Sequence, residues 1–146
     1  MKRDLAARPA PLLALLHASE QAIAAQLHHH LRDAGFDDQR PAHDAVFAHL
    51  PPEGLRLTEL AERARVTKQA MGELVDDLER KGYLHRRPDP TDRRAKLIEF
   101  APRGWDALGA AVRAFDDIEA ELTREFGSDP LTQLRQVLQR IAAIPA

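Results

Sequence analysis

Basic side chains that could bind phosphate are concentrated in one segment of this chain. Residues 80–103 contain eight lysines and arginines but three acids, a net charge of +5, whereas the whole chain of 146 residues has a net charge of −2. Cationic side chains neutralise phosphate and displace its counterions. An ordinary solvated surface is the alternative explanation. A basic segment on an otherwise acidic chain favours a nucleic-acid contact.

The residues before this segment predict a helix-turn-helix. A short helix begins near Leu57, and Thr67 has the side-chain oxygen needed to cap a longer helix that starts at Lys68 and ends at Gly82. In this motif the second helix enters a major groove and contacts bases mainly with its first residues. The sequence therefore predicts a recognition helix after Thr67.

Four residues of the predicted recognition helix are candidates for DNA contact. Lys68 can donate to guanine, Gln69 can pair with adenine, and Thr67 can donate to a phosphate. Gly72 costs about 1 kcal/mol relative to Ala in mid-helix, a cost that close approach of DNA would explain. A neighbouring helix packed against Gly72 is the alternative explanation.

Acids follow on the same helix, at Glu73, Asp76 and Asp77. Because carboxylates repel phosphate, we expect only the first turn to lie deep in the groove. The attraction must then come from the next element, a hairpin whose strands run from Tyr83 to Arg87 and from Lys96 to Phe100. Its phosphate-binding candidates are Arg86, Arg87, Arg93, Arg94 and Lys96. Asp92 is expected to pair with a nearby arginine and fix the hairpin tip.

Long amphipathic segments flank this central module. Residues 9–34 and 102–144 have helical spacing of apolar residues, and they bracket a winged helix-turn-helix lobe at 41–100. The predicted fold is mainly α with a small β-wing, in one domain, 1–146. Extra apolar helix surface predicts a homodimer, which suits a palindromic DNA site.

The run from Leu57 to Gly104 resembles the MarR family, the multiple-antibiotic-resistance regulators. The matching features are the junction Leu78-Glu79-Arg80-Lys81-Gly82-Tyr83, the wing motif Asp92-Arg93-Arg94 after a Pro-Asp-Pro turn, and Arg103-Gly104. Arg65 differs, because the family often has Gly at this turn. Glu73 stands where the family often has Arg, and Pro102 interrupts the usual stretch before the last Gly.

The resemblance implies a homodimeric repressor with two winged lobes on a pseudo-palindromic double-stranded operator. By the family motif, Lys68, Gln69 and Ala70 fall where base and methyl contacts are made, and Arg94 falls on the wing arginine that enters the minor groove. It also implies release of DNA by a small, often aromatic, effector. His30 is our candidate residue for the effector pocket.

Two alternative functions remain open from the sequence. The acidic recognition helix would suit a winged-helix protein-interaction module. The run His28-His29-His30 would suit a metal-responsive regulator, but adjacent helical residues point about 100° apart and cannot share one metal. We therefore predict no metal site and no cofactor.

Other classes are disfavoured by composition and motifs. The chain has no cysteine, and it has no serine in a nucleophile motif and no Gly-rich phosphate loop, so we expect no enzyme activity. We see no secretory signal and no membrane-spanning stretch, and expect a cytoplasmic protein.

Overall fold

The computed structural model describes residues 8–146, so the first seven residues of the predicted domain lie outside it. The elements in chain order are α1 (Leu12–Asp33), a 3-10 turn (Pro41–His43), α2 (Asp44–His49), α3 (Leu57–Ala64), α4 (Lys68–Arg80), β1 (Leu84–Asp89), β2 (Asp92–Phe100), α5 (Pro102–Phe126) and α6 (Ser128–Ala142). The predicted fold class, mainly α with a small β-wing, is confirmed. Within the described part of the chain, no helix has the length and apolar character needed to cross a membrane.

The core of the winged lobe is formed by α3, α4 and the hairpin. Met71, Val75 and Leu78 of α4 are fully buried, as are Leu60 of α3 and Tyr83 just before β1. Burial of one such apolar side chain contributes about 1.5–3 kcal/mol. This packing holds one face of α4 against the lobe and leaves its other face to solvent.

The wing is a two-stranded antiparallel hairpin in which Leu84 lies opposite Phe100 and Pro88 opposite Lys96. Its strands are longer than the sequence predicts, because pairing continues past Arg87 to the tip, with an irregularity between Pro88 and Asp89. Leu55 adds one further bridge to Ile98. The hairpin is thereby attached to the segment that leads into α3.

The turn between α3 and α4 has a left-handed residue. Arg65 closes α3 with φ 56° and ψ 41°, the conformation that glycine adopts without strain. The sequence differs here from the family it resembles, which often has glycine at this turn. The left-handed backbone explains why glycine is common at the position. At the other end of α4, Gly82 has φ 84°, and the backbone N–H of Tyr83 donates to the carbonyl of Leu78.

A second apolar cluster packs α1 against α5. Leu27 and Leu31 of α1 pack against Ala110, Ala114 and Ile118 of α5. These long helices, predicted from periodicity at 9–34 and 102–144, occur at Leu12–Asp33 and Pro102–Ala142, the latter interrupted at Gly127.

Near the start of α5, the helix lies directly against the lobe. A Cβ on Gly104 would collide with the carbonyl oxygen of Tyr83 and would lie 3.0 Å from the Phe100 ring. The glycine of the Arg103-Gly104 motif is therefore required by this close approach.

Candidate nucleic-acid interface

The first turn of α4 is capped and exposed. The Thr67 hydroxyl oxygen accepts a hydrogen bond from the backbone N–H of Ala70 at 3.1 Å, as an N-cap does. Lys68, Gln69 and Ala70 are all exposed. These are the side chains predicted from the sequence to contact bases. They therefore face solvent at the positive end of the helix dipole, where anions bind favourably.

Gly72 lies one turn further along α4 and is not required by internal packing. A Cβ built there would meet only the Cδ2 atom of Leu57, at 3.7 Å, which is ordinary van der Waals contact. The alternative explanation from the sequence, a neighbouring helix that excludes a side chain, has no support among residues 8–146. The space that Gly72 leaves open belongs to the surface.

The acids of α4 are largely neutralised by the protein itself. Arg86 of β1 donates to Asp76 at 2.8 Å and to Glu79 at 2.9 Å. Glu73 is exposed and forms no ion pair with any residue in 8–146. The expectation that all of these acids repel phosphate is therefore too strong, because it omits their partners.

Asp77 points away from the surface that a DNA groove would meet. Its carboxylate accepts hydrogen bonds from the Lys81 ammonium at 3.0 Å and from the buried His43 ring at 2.7 Å. The Lys81 ammonium, with help from His43 and Arg40, holds the pKa of Asp77 well below its usual value of 3.8. Burial lowers the pKa of His43, whose Nδ1 atom accepts a hydrogen bond from the backbone N–H of Arg40. Asp77 is thus an internal anchor for the end of α4.

The five basic residues predicted to bind phosphate from the wing divide into two groups. Arg86 is held by the two acids of α4, and the Nε–H of Arg87 donates to Glu99 at 2.6 Å. Both guanidinium groups are already engaged, and the hydrogen bond from Arg87 also lowers the pKa of Glu99. The other three are exposed and form no ion pair within residues 8–146, and they are Arg93, Arg94 and Lys96.

The hairpin tip is shaped mainly by a residue that the sequence analysis missed. The buried carboxylate of Asp89 accepts hydrogen bonds from the backbone and hydroxyl of Thr91, each at 2.8 Å, and from the Arg56 guanidinium at 2.7 Å. The Thr91 bonds, followed by the Arg56 bond, lower the pKa of Asp89 to about 2. The signal was in the sequence, since Asp followed two residues later by Thr is typical of an Asx turn.

Asp92 has a different contact from the one predicted. Its carboxylate accepts a hydrogen bond from the backbone N–H of Arg94 at 3.0 Å, and no ion pair with an arginine forms in the described chain. The expected salt bridge is wrong because the short Asp side chain reaches the nearby backbone first. The Arg94 guanidinium therefore has no ion-pair partner among residues 8–146.

A polar cluster, also missed, connects α5 to the lobe. Tyr83 donates its hydroxyl hydrogen to Asp38, and Arg103 at the start of α5 donates to Asp38 at 3.0 Å. The Arg103 guanidinium lies over the rings of Tyr83 and Phe36, 4.7 and 5.3 Å from their centres. Burial, together with Asp38, raises the pKa of Tyr83 to about 12. Lys81 completes the cluster by donating to the Asp38 carbonyl.

The three consecutive histidines have separate partners. His28 is buried and its Nε2 atom lies 2.9 Å from the Asp44 carboxylate, His29 lies 3.4 Å from Asp33, and the His30 Nδ1 atom is 2.8 Å from the carbonyl of Gln26. Within residues 8–146, no three His, Asp or Glu side chains are grouped as metal ligands would be.

An apolar cavity of about 390 Å³ lies between α1, α2 and α5. Its walls include Leu27, Phe47, Leu108 and Phe115. His30, the residue nominated for an effector pocket, does not line this cavity. The prediction that His30 lines an effector pocket is wrong for this cavity, because the His30 ring lies against the carbonyl of Gln26, one turn back along α1.

Comparison with known proteins agrees with this geometry. Residues 45–95, which span most of the winged lobe, match the model of the MarR family. The multiple antibiotic resistance protein MarR of Salmonella typhimurium is 30% identical over 89 residues, covering 57% of this chain and 58% of that protein.

The winged lobe of this chain is therefore similar to the MarR family over residues 45–95. Another relative, the transcriptional regulator HosA of Escherichia coli O111:H-, is 23% identical over 105 residues, covering 72% of this chain and 78% of that protein. Among solved structures, a MepR mutant of S. aureus bound to an oligodeoxyribonucleotide has the same fold, with a TM-score of 0.62 and 20% identity. That match covers 92% of this chain and 98% of the other.

Proposed function

We propose that this protein is a member of the MarR family and a homodimeric, DNA-binding regulator of transcription. One observation carries the proposal: the capped first turn of α4 is exposed on the same lobe as the wing cations Arg93, Arg94 and Lys96, which form no ion pair within residues 8–146, whereas Arg86 and Arg87 are held by acids of the lobe. The first turn of α4 would read bases in a major groove, and the wing would reach phosphate and minor groove. The DNA-bound MepR structure and the name of HosA support the same function.

The dimer is supported by apolar surface on the terminal helices. No residue of α6 is buried, although it carries Leu134, Val137 and Ile141 with about half of their surface exposed. Leu12 and Leu13 at the start of α1 are 72% and 79% exposed. Single exposed leucines are ordinary, but continuous apolar helix faces mark interaction sites. We assign residues 9–34 and 102–144 to the dimer interface and 41–100 to the DNA-binding lobe.

Two lobes related by a two-fold axis would bind a pseudo-palindromic operator. We propose repression as the default action, since a protein bound at an operator excludes other proteins there. Release would follow when a small molecule occupies the cavity between α1, α2 and α5, because this cavity lies where the dimerisation helices meet the lobe.

The described residues give less support to the two alternative functions. The protein-interaction module rested on the acidic recognition helix, but Asp76 is neutralised and Asp77 faces inward. The metal-responsive regulator rested on the histidine run, and each of those rings has its own partner.

The test is a fluorescence-anisotropy titration with duplex DNA from upstream of the protein's own gene, repeated over a range of salt concentrations. Three free cations per subunit predict a log–log salt slope of about −5 for a dimer. A scrambled duplex is the control for sequence dependence. Equal weak binding to both duplexes, or a monomeric mass by sedimentation, would count against the proposal.

A further inference from the structure

Among the residues that the structure describes, Glu73 is the one acid of α4 without a partner. Asp76 and Glu79 are both held by Arg86, and Asp77 is anchored inside the lobe. Glu73 is exposed, and its carboxylate forms no ion pair with any residue in 8–146. A solvated carboxylate is ordinary on a free surface. On a surface that meets DNA it repels phosphate, so it lowers affinity unless the DNA supplies a hydrogen-bond donor.

Glu73 lies at the centre of the surface that α4 turns away from the lobe. The fully buried residues Met71 and Val75 are each two positions from Glu73 and hence about 160° away around the helix. The base-contact candidate Gln69 is four positions before Glu73, which places it about 40° away around the helix and about 6 Å along its axis. Gln69 and Glu73 therefore project from the same exposed face.

The backbone beside Glu73 can approach a groove closely. Gly72 has no side chain, and a Cβ built there would contact only Leu57 Cδ2, at 3.7 Å. The acids of the later turns are paired within the lobe, so they do little to hold this part of α4 away from phosphate. The second turn of α4, as well as its first, can therefore lie in the major groove, which is about 8.5 Å deep.

The chemistry of a carboxylate restricts which base it can contact. A carboxylate accepts hydrogen bonds and donates none, so it pairs only with a donor on a base edge. The major groove offers two such donors, the N4 amino group of cytosine and the N6 amino group of adenine. Adenine also presents its N7 acceptor beside the amino group, and this lone pair repels a carboxylate oxygen. Cytosine presents only the donor, so the carboxylate favours cytosine.

We propose that Glu73 is a specificity-determining residue that selects cytosine at one position of each operator half-site, by accepting a hydrogen bond from the N4 amino group. Gln69 then contacts a base pair about two steps away, because the separation of about 6 Å along the helix is close to two base-pair spacings of about 3.4 Å. The inference rests on the proposed DNA binding and adds a base preference to it.

The first test selects binding sites from a library of random duplexes with the wild-type protein, Glu73→Gln and Glu73→Ala. The wild-type protein should select cytosine in each half-site at a position where Glu73→Ala selects no base. Glu73→Gln should select adenine at that position, because a glutamine amide donates to N7 and accepts from the N6 amino group. Glu62→Gln is the matched control, since it removes an exposed carboxylate of α3 from the same lobe, and it should keep the wild-type preference.

The base N4-methylcytosine tests the hydrogen bond itself. Its methyl group must lie on the major-groove side for the base to pair with guanine, so it replaces the hydrogen that Glu73 binds. In anisotropy titrations with the selected duplex, this base at the chosen position of one half-site should weaken binding of the wild-type protein about tenfold. Binding of Glu73→Ala should not change. Equal losses for the two proteins would refute the hydrogen bond.

A general effect of charge gives a different result. If Glu73 only repels phosphate, both Glu73 variants should bind every duplex more tightly and keep the wild-type base preference. That result would overturn the inference and leave the DNA-binding regulator intact. Enrichment of no sequence by the wild-type protein would instead refute the proposed function, and the role of Glu73 with it.

Discussion

Replacement of Gly72 by Ala should change stability and DNA affinity in opposite directions. Gly72 lies inside α4, where glycine is less favourable than alanine by about 1 kcal/mol. The added Cβ would meet only Leu57 Cδ2 at 3.7 Å, so no clash offsets this gain. The variant should be more stable by about 1 kcal/mol.

The same methyl group would project from the surface of α4 that we assign to DNA. If the backbone at Gly72 approaches a phosphate or a base edge, the alanine methyl group must push that part of the DNA away and lengthen the neighbouring protein–DNA contacts. A loss of one good contact corresponds to at least about tenfold in affinity, or 1.4 kcal/mol. A stabilising substitution that weakens binding is difficult to attribute to unfolding.

Chemical denaturation measures the first effect and anisotropy with operator DNA measures the second. Gly109→Ala is the matched control, since Gly109 is also inside a helix, α5, and a Cβ there would meet only the Arg113 guanidinium at 3.5 Å. It should raise stability to a similar extent and leave the DNA affinity of the dimer unchanged; sedimentation of both variants checks that they remain dimers, since Gly109 lies in the segment assigned to the dimer interface. Unaltered DNA affinity in Gly72→Ala would refute the close approach, and a loss of stability would refute the packing argument.

Three further predictions concern the wing cations, the left-handed residue Arg65 and the buried Tyr83. Arg94→Ala should weaken operator binding at least about tenfold and reduce the salt slope by about 2 per dimer. Arg87→Ala should barely change the slope, because Glu99 already binds that guanidinium. Equal changes of slope for the two variants in anisotropy titrations would contradict the division of the wing cations into two groups. Arg65→Gly should stabilise the protein by about 1 kcal/mol in denaturant unfolding, because its φ of 56° is strained for arginine, and an unchanged midpoint would argue against strain. Tyr83 is the single tyrosine, so tyrosinate absorbance should titrate near pH 12 in the native protein and near pH 10 in denaturant. Because the pKa is raised in the folded state, the stability contributed by the neutral phenol is complete below pH 10 and is lost as the pH rises through 12. A native midpoint near pH 10 would exclude the buried hydrogen bond to Asp38.

The order of elements and the recognition helix were predictable because their signals are local. Thr67 as a cap, Gly82 as a stop and the helical spacing of Met71, Val75 and Leu78 depend on residues within one or two turns. The same holds for the long terminal helices. Such signals survive in a single sequence because the backbone conformation is decided by neighbours.

The division of the wing cations was not predictable because it depends on tertiary register. Arg86 reaches Asp76 and Glu79 only after β1 folds back along α4, and Tyr83 meets Asp38 from 45 residues away. A count of charges treated Arg86 and Arg87 as equivalent to Arg93 and Arg94. The fold separates them into cations that hold the wing in place and cations that remain for DNA.

This separation bears on how a ligand could release DNA. A ligand shifts an equilibrium only by the difference in its affinity for the two states, so a hundredfold loss of DNA affinity requires about 2.7 kcal/mol of preference for the DNA-free arrangement. Closing the cavity on roughly 100 Å² of additional apolar surface would supply about 2.5 kcal/mol. The wing is fixed to the lobe by Asp89 and Arg56 and to α4 by Arg86. The lobe should therefore move as one body, and the contacts that must change are those of Arg103 with Asp38 and Tyr83, where α5 meets the lobe.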